Sequence, residues 1–184
     1  MKLYQSLIAV ALFGTFLISC SKDDVTEENS NELITTVELK FTERGTSNVQ
    51  SFNFEDIDGP GGQAPEIDQI ILAPNKTYDV EIEVYDDSKN PPLVIHEEIE
   101  EESNDHRFYF EPSNANLTIN GLDNDAAGKP LGLKSVWTTT GAAQGNVKIT
   151  LRHYENGGKE TSDPVNSTKS STDAEVSFVF RIQE

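Results

Sequence analysis

Tyr78-Asp79-Val80-Glu81-Ile82-Glu83-Val84-Tyr85 alternates apolar and polar side chains with a period of two. Successive side chains of a strand point to opposite faces, so Tyr78, Val80, Ile82 and Val84 share one side while Asp79, Glu81 and Glu83 share the other. A stretch of this kind is a strand with one face in a core and the other in water.

The same period recurs on both sides of it. Val37, Leu39 and Phe41 alternate with Glu38, Lys40 and Thr42, and Gly45-Thr46-Ser47-Asn48 reads as a turn. Phe52 and Phe54 carry the alternation onto a second strand, which predicts a hairpin. Asp58-Gly59-Pro60-Gly61-Gly62 then breaks regular structure. Asn90-Pro91-Pro92 interrupts again, and Leu93 to Ile95 predicts a short strand. Further on, His106, Phe108 and Phe110 share a face, Leu117 and Ile119 mark a short strand, and Leu133, Ser135 and Trp137 share a face. Val147, Ile149, Leu151 and His153 lie on one face, with Lys148, Thr150, Arg152 and Tyr154 opposite. Val176, Phe178, Phe180 and Ile182 form the last strand, and the polar run from Asn156 to Asp173 predicts a long hairpin loop.

No stretch of ten or more residues carries strong helical apolar periodicity; the nearest, Ile95 to His106, is mostly acid. Seven to nine strands of mixed-face alternation predict an all-β fold, an antiparallel β-sandwich, with a barrel as the alternative. The expected core is Val37, Leu39, Phe41, Tyr78, Val80, Ile82, Phe108, Phe110, Ile149, Leu151, Phe178 and Phe180. Leu72-Ala73-Pro74-Asn75-Lys76-Thr77-Tyr78-Asp79-Val80 resembles the Leu-x-Pro-turn-Tyr-x-Val segment of fibronectin-type-III and transthyretin-like sandwiches. That resemblance implies an immunoglobulin-like or transthyretin-like architecture in which the Tyr78 hydroxyl bonds back to the backbone at a sheet corner.

The chain begins with a different pattern. Lys2 precedes the uncharged apolar run Leu7 to Ile18, and Leu17-Ile18-Ser19-Cys20 ends it with the only cysteine. This run is shorter than the roughly 20 apolar residues needed to span a bilayer as a helix. The stretch resembles the lipobox of bacterial lipoproteins, which implies acylation of Cys20 and its exposure as the mature N-terminus. Ser21-Lys22-Asp23-Asp24 resembles the export signal of surface lipoproteins in Bacteroides-like Gram-negative bacteria. Together these resemblances imply a small, surface-exposed accessory lipoprotein held in outer-membrane lipid through Cys20, similar to lipoproteins some of which serve TonB-dependent receptors. The expected organisation is a signal peptide over 1–19, an acylated cysteine and acidic tether over 20–32, and a β-sandwich over 33–184.

Composition bounds the partners. The chain has 32 acids against 14 bases, a formal net charge of −18. A surface so acidic repels nucleic acid and favours cations and basic partners. With one cysteine no internal disulfide forms.

Three constellations carry candidate chemistry. The first is Glu97-Glu98-Ile99-Glu100-Glu101-Glu102 followed by Asp105-His106. On a helical turn Glu98, Glu102 and His106 fall at i, i+4 and i+8. His106 and His153 each end an apolar strand face, so adjacent antiparallel strands would bring both imidazoles to one rim. Imidazoles and carboxylates together suit zinc or a similar divalent ion, bound through His106, His153 and Glu98 or Glu102. Against this stands the bland reading of a solvated acidic run. The second is Asp123-Asn124-Asp125-Ala126-Ala127-Gly128, whose Asp123 and Asp125 resemble the start of a calcium loop. Ala127 and Lys134 depart from that pattern, and a polar turn is the competing reading. The third and weakest is Asp56-Ile57-Asp58-Gly59. Trp137, Tyr154 and Tyr109 offer either a ligand platform or core filling.

Catalysis finds no motif: no Gly-x-Ser-x-Gly, no His-Glu-x-x-His, and no Lys-Ser/Thr after the glycines at 59–62. The sequence therefore predicts a non-catalytic ligand-binding or receptor-accessory module. The alternative is a structural or adhesive surface lipoprotein, with a hydrolase a distant third.

Overall fold

The alternation around Tyr78 builds the centre of a sheet. In the computed structural model, which describes residues 33–155 and 158–184, the strands are β1 (Thr36–Glu43), β2 (Val49–Glu55), β3 (Glu66–Ile67), β4 (Ile70–Leu72), β5 (Thr77–Asp86) and β6 (Leu93–Val94). The short helix α1 (Ile95–Glu101) follows, then β7 (His106–Pro112), β8 (Leu117–Asn120), β9 (Lys134–Thr139), β10 (Ala143–His153) and β11 (Ser171–Ile182). The described residues fall within one compact unit, Asn31–Glu184. The lipobox, Cys20, the Ser21-Lys22-Asp23-Asp24 signal and the tether lie outside the described residues.

One sheet runs β3-β2-β1-β5-β9-β8, with β6 also on β5; the other runs β4-β11-β10-β7. Among the described residues all strand pairings are antiparallel except β4 with β11. The fold is thus an all-β sandwich. Leu39 stands opposite Ile82 on β5 and Phe52 on β2, and Phe41 opposite Val80. In the second sheet Ile149 stands opposite Phe110 and Val176, and Val147 opposite Phe178. The two inner faces meet through aromatic edges, with Phe110 of β7 6.0 Å from Trp137 of β9. All the expected core residues are buried except Phe110, which is half-buried. Gly145 lies opposite Phe180, and a Cβ there would stand 2.7 Å from Ser113 Oγ and 3.0 Å from the Phe180 ring, so a larger residue would have to push both side chains aside.

The tyrosine corner is present. The Ala73 N–H donates to the Tyr78 hydroxyl over 3.0 Å, across a turn in which Asn75 adopts a left-handed φ of 57°. Asparagine tolerates that conformation better than other side-chain-bearing residues do. The bond lets the tyrosine ring enter the core without leaving its hydroxyl unpaired.

Two departures from simple alternation matter for the site. Thr150 on the outward face of β10, and Tyr154 just past its end in the same alternation, are both buried. The polar segment after β10 folds back over that face. Arg107 donates to the carbonyls of Glu160, Thr161 and Asp163, and Arg152 donates to the carbonyl of Ser167. Guanidinium donors satisfy the loop carbonyls, which is how an irregular segment lies against a sheet without orphaned backbone groups. The second departure is a register shift on the β10–β11 ladder. Leu151 pairs with Ala174 and Arg152 with Thr172, so Asp173 is an extra, bulged residue.

Candidate functional site

β7 and β10 pair so that His106 stands directly opposite His153. Their rings stack, with centroids 4.6 Å apart and planes inclined by 28°. Both histidines end an inward-facing row, so they mark the rim of the core. Continued alternation from Val176 would turn Asp173 outward. The bulge adds one residue and re-aims that carboxylate, a recurrent use of bulges beside functional groups. One donor atom from each of His106, His153 and Asp173 lies within 4.8 Å of the other two. Asp173 Oδ2 is 3.9 Å from His106 Nε2, too far for a hydrogen bond.

The local fields agree with this crowding. Burial lowers the pKa of His106, helped by the nearby His153 and opposed by the Glu102 carbonyl. Burial also raises the pKa of Asp173, against the pull of His153, His106 and Arg152. Nδ1 of His106 lies 3.2 Å from the Glu102 carbonyl oxygen. A carbonyl only accepts, so Nδ1 carries the proton and Nε2 keeps its lone pair, aimed toward Asp173.

The acids expected as ligands lie elsewhere. α1 ends at Glu101, so the helical spacing from Glu98 does not continue to His106. The helix buries Ile95 and Ile99, four apart on one face, which turns Glu98 outward to solvent; Glu102, just past the helix end, is exposed as well. Glu102 serves the site through its backbone carbonyl and not its carboxylate. Asp173 takes the place expected for these acids.

Asp123 and Asp125 are engaged by protein donors in place of an ion. Asp123 Oδ1 accepts the backbone N–H groups of Gly132 and Lys134, each at 2.9 Å. Asp125 Oδ1 accepts those of Ala127 and Lys129, each at 2.8 Å. Its Oδ2 lies 3.0 Å from the ammonium of Lys159, so a lysine supplies the cation. The weakest candidate is also a turn: Asp58 Oδ2 accepts the Gln63 N–H. Trp137 and Tyr154 are fully buried, which rules out a ligand platform; Tyr154 shares a 2.6 Å hydrogen bond with Tyr109.

A recess of about 80 Å³ lies between β5, α1 and Lys134, lined by Glu83, His96, Glu100 and Asp123 among others. It does not reach the rim histidines. His96 works there for the fold: β9 leaves β5 before Val84, and the Val84 N–H donates to His96 Nδ1 over 3.2 Å.

The fold and rim group together define the chain as an all-β sandwich carrying a three-residue cluster of nitrogen and oxygen donors. Comparison with protein-family models, with curated proteins and with solved structures gives no match.

Proposed function

We propose that the protein is a membrane-anchored extracytoplasmic lipoprotein at the outer-membrane surface, a non-catalytic module that binds a ligand or serves as a receptor accessory. The observation that carries the binding part is the convergence of His106, His153 and Asp173 at one rim. A sandwich does not need two imidazoles and a carboxylate crowded there, since burying such groups costs free energy unless they are paired. The lipobox ending at Cys20 and the acidic stretch after it support the location. A thiol can carry diacylglycerol, and anchoring by more than one acyl chain is stable where one chain is not.

Two measurements test the location. Cys20→Ala should move the protein out of the detergent-extracted membrane fraction; a variant that partitions as the parent does refutes the lipid anchor. Proteinase added to intact cells should digest the parent protein and spare a variant with Lys22, Asp23 and Asp24 replaced by Ala. A parent that resists digestion while lysed controls are cut would put the domain inside the outer membrane.

A further inference from the structure

We infer that His106, His153 and Asp173 form a divalent transition-metal site with three protein donors and at least one open coordination position. This rests on the reading of the rim as the binding centre and names its ligand.

Four observations carry it. The ladder between β7 and β10 sets the histidines opposite each other, so their closeness follows from strand register and not from a flexible loop. The bulge in β11 delivers Asp173 to the same place. His106 Nδ1 is committed to the Glu102 carbonyl, the backbone partner that orients many metal-binding histidines and frees the other nitrogen to ligate. Finally, Asp173 Oδ2 and His106 Nε2 lie 3.9 Å apart with no hydrogen bond between them. Two donors at zinc distances around a tetrahedral ion are about 3.4 Å apart. With all three donors within 4.8 Å of one another, side-chain rotations that draw them together by about 1.4 Å at most close the group onto one ion.

The donor set selects the metal. Two imidazoles and one carboxylate suit zinc, nickel, copper or cobalt, whereas calcium takes six to eight oxygens. Three protein ligands leave a tetrahedral ion one position for water or for a donor from a partner. That open position distinguishes the site from a closed structural one and gives the module a way to hold an incoming ligand.

The test uses the intact chain in detergent. Calorimetric titration with zinc chloride should show one ion per chain, and calcium chloride should show no such site. Asp173→Asn, which keeps shape and removes charge, should weaken zinc binding at least 10-fold, and His106→Ala with His153→Ala should abolish it. Glu98→Gln should leave affinity unchanged, because the helix turns that carboxylate to solvent. Equal heats from the parent and the double-histidine variant would overturn the site, leaving diffuse binding to acidic surface. Loss of binding in the Glu98→Gln variant with Asp173→Asn unaffected would overturn the assignment of Asp173. Cobalt chloride added to the parent covers the case in which the double-histidine variant fails to fold. Visible bands of an ion of low coordination number support the site, and the unchanged spectrum of the hydrated ion refutes it. A displayed, lipidated chain that binds no zinc refutes the metal site alone, whereas a zinc-binding chain without lipid refutes only the anchor.

Discussion

Lys159→Met should destabilise the domain by about 3–5 kcal/mol, because it strands Asp125 as a buried charge without its partner. The Lys159 side chain is 0% exposed and that of Asp125 1%. The ammonium donates to the carbonyls of Ser103 at 2.7 Å and His106 at 2.8 Å, and it faces Asp125 Oδ2 at 3.0 Å. Two of its protons thus have carbonyl acceptors and its charge is paired with a carboxylate, the condition under which a buried lysine is tolerated. Methionine keeps most of the stem and removes only the charge and its donors. Burial pushes the Lys159 pKa down against the pull of Asp125. Burial pushes Asp125 up, but the Lys129 N–H, the Lys159 ammonium and the Ala127 N–H outweigh it and leave its carboxyl below the ordinary range. A depressed folded pKa means the unfolded chain binds more protons in the window between the two values. The contribution of Asp125 is therefore fully present above the unfolded value of about 3.9 and is lost as pH falls through the lower folded value. Urea unfolding at neutral pH measures the loss, with an unchanged slope showing that stability alone has moved. Asp125→Asn keeps the turn acceptor and strands the ammonium instead, so it should be costly too. The pair of substitutions together should cost less than their separate effects added. A Lys159→Met variant within about 0.5 kcal/mol of the parent would mean the ammonium is solvated and the clamp absent.

That clamp explains a gap in what the sequence discloses. Asn156 to Asp173 reads as a long hairpin loop because its composition is polar, and composition cannot distinguish a solvated lysine from one whose ammonium ends on two carbonyls and a carboxylate. The long strands are legible for the opposite reason. Tyr78, Val80, Ile82 and Val84 on β5, and Phe178 and Phe180 on β11, alternate because one face is dry and the other wet. β3 and β4 have two and three residues, too few for alternation to register, and β4 joins its sheet by a parallel pairing to the far end of the chain. The histidine pair is legible because each member ends an apolar row. Asp173 is hidden because one bulged residue reverses the parity that assigns faces. The acidic run before His106 draws attention by its charge, but Ile95 and Ile99 decide its orientation and send the carboxylates to water.

The core itself yields the second large effect. Trp137→Ala should cost about 3–5 kcal/mol, the range for deleting a buried aromatic side chain. Trp137 is fully buried on β9, paired with Tyr78 of β5 on one side and Ile119 of β8 on the other. Its ring meets Phe41 of the same sheet edge-on at 5.0 Å and Phe110 of the opposite sheet at 6.0 Å. The residue therefore spans the gap between layers, and neither neighbouring strand can collapse into the space it leaves without losing its own register. Its indole N–H donates to Ser135 Oγ over 2.9 Å, so truncation also leaves a buried hydroxyl without that partner. In a domain of this size each kcal/mol corresponds to about 2–4 °C in Tm. Thermal unfolding followed by far-UV circular dichroism reads the loss without using the deleted fluorophore. Trp137→Phe separates the two contributions, since it keeps an aromatic ring between the sheets and gives up the hydrogen bond and part of the volume. It should fall between the parent and the alanine variant. An alanine variant within about 1 kcal/mol of the parent would mean that the sheets are not held together through this ring. The packing of Phe110 against Trp137 would then not mark the centre of the sandwich.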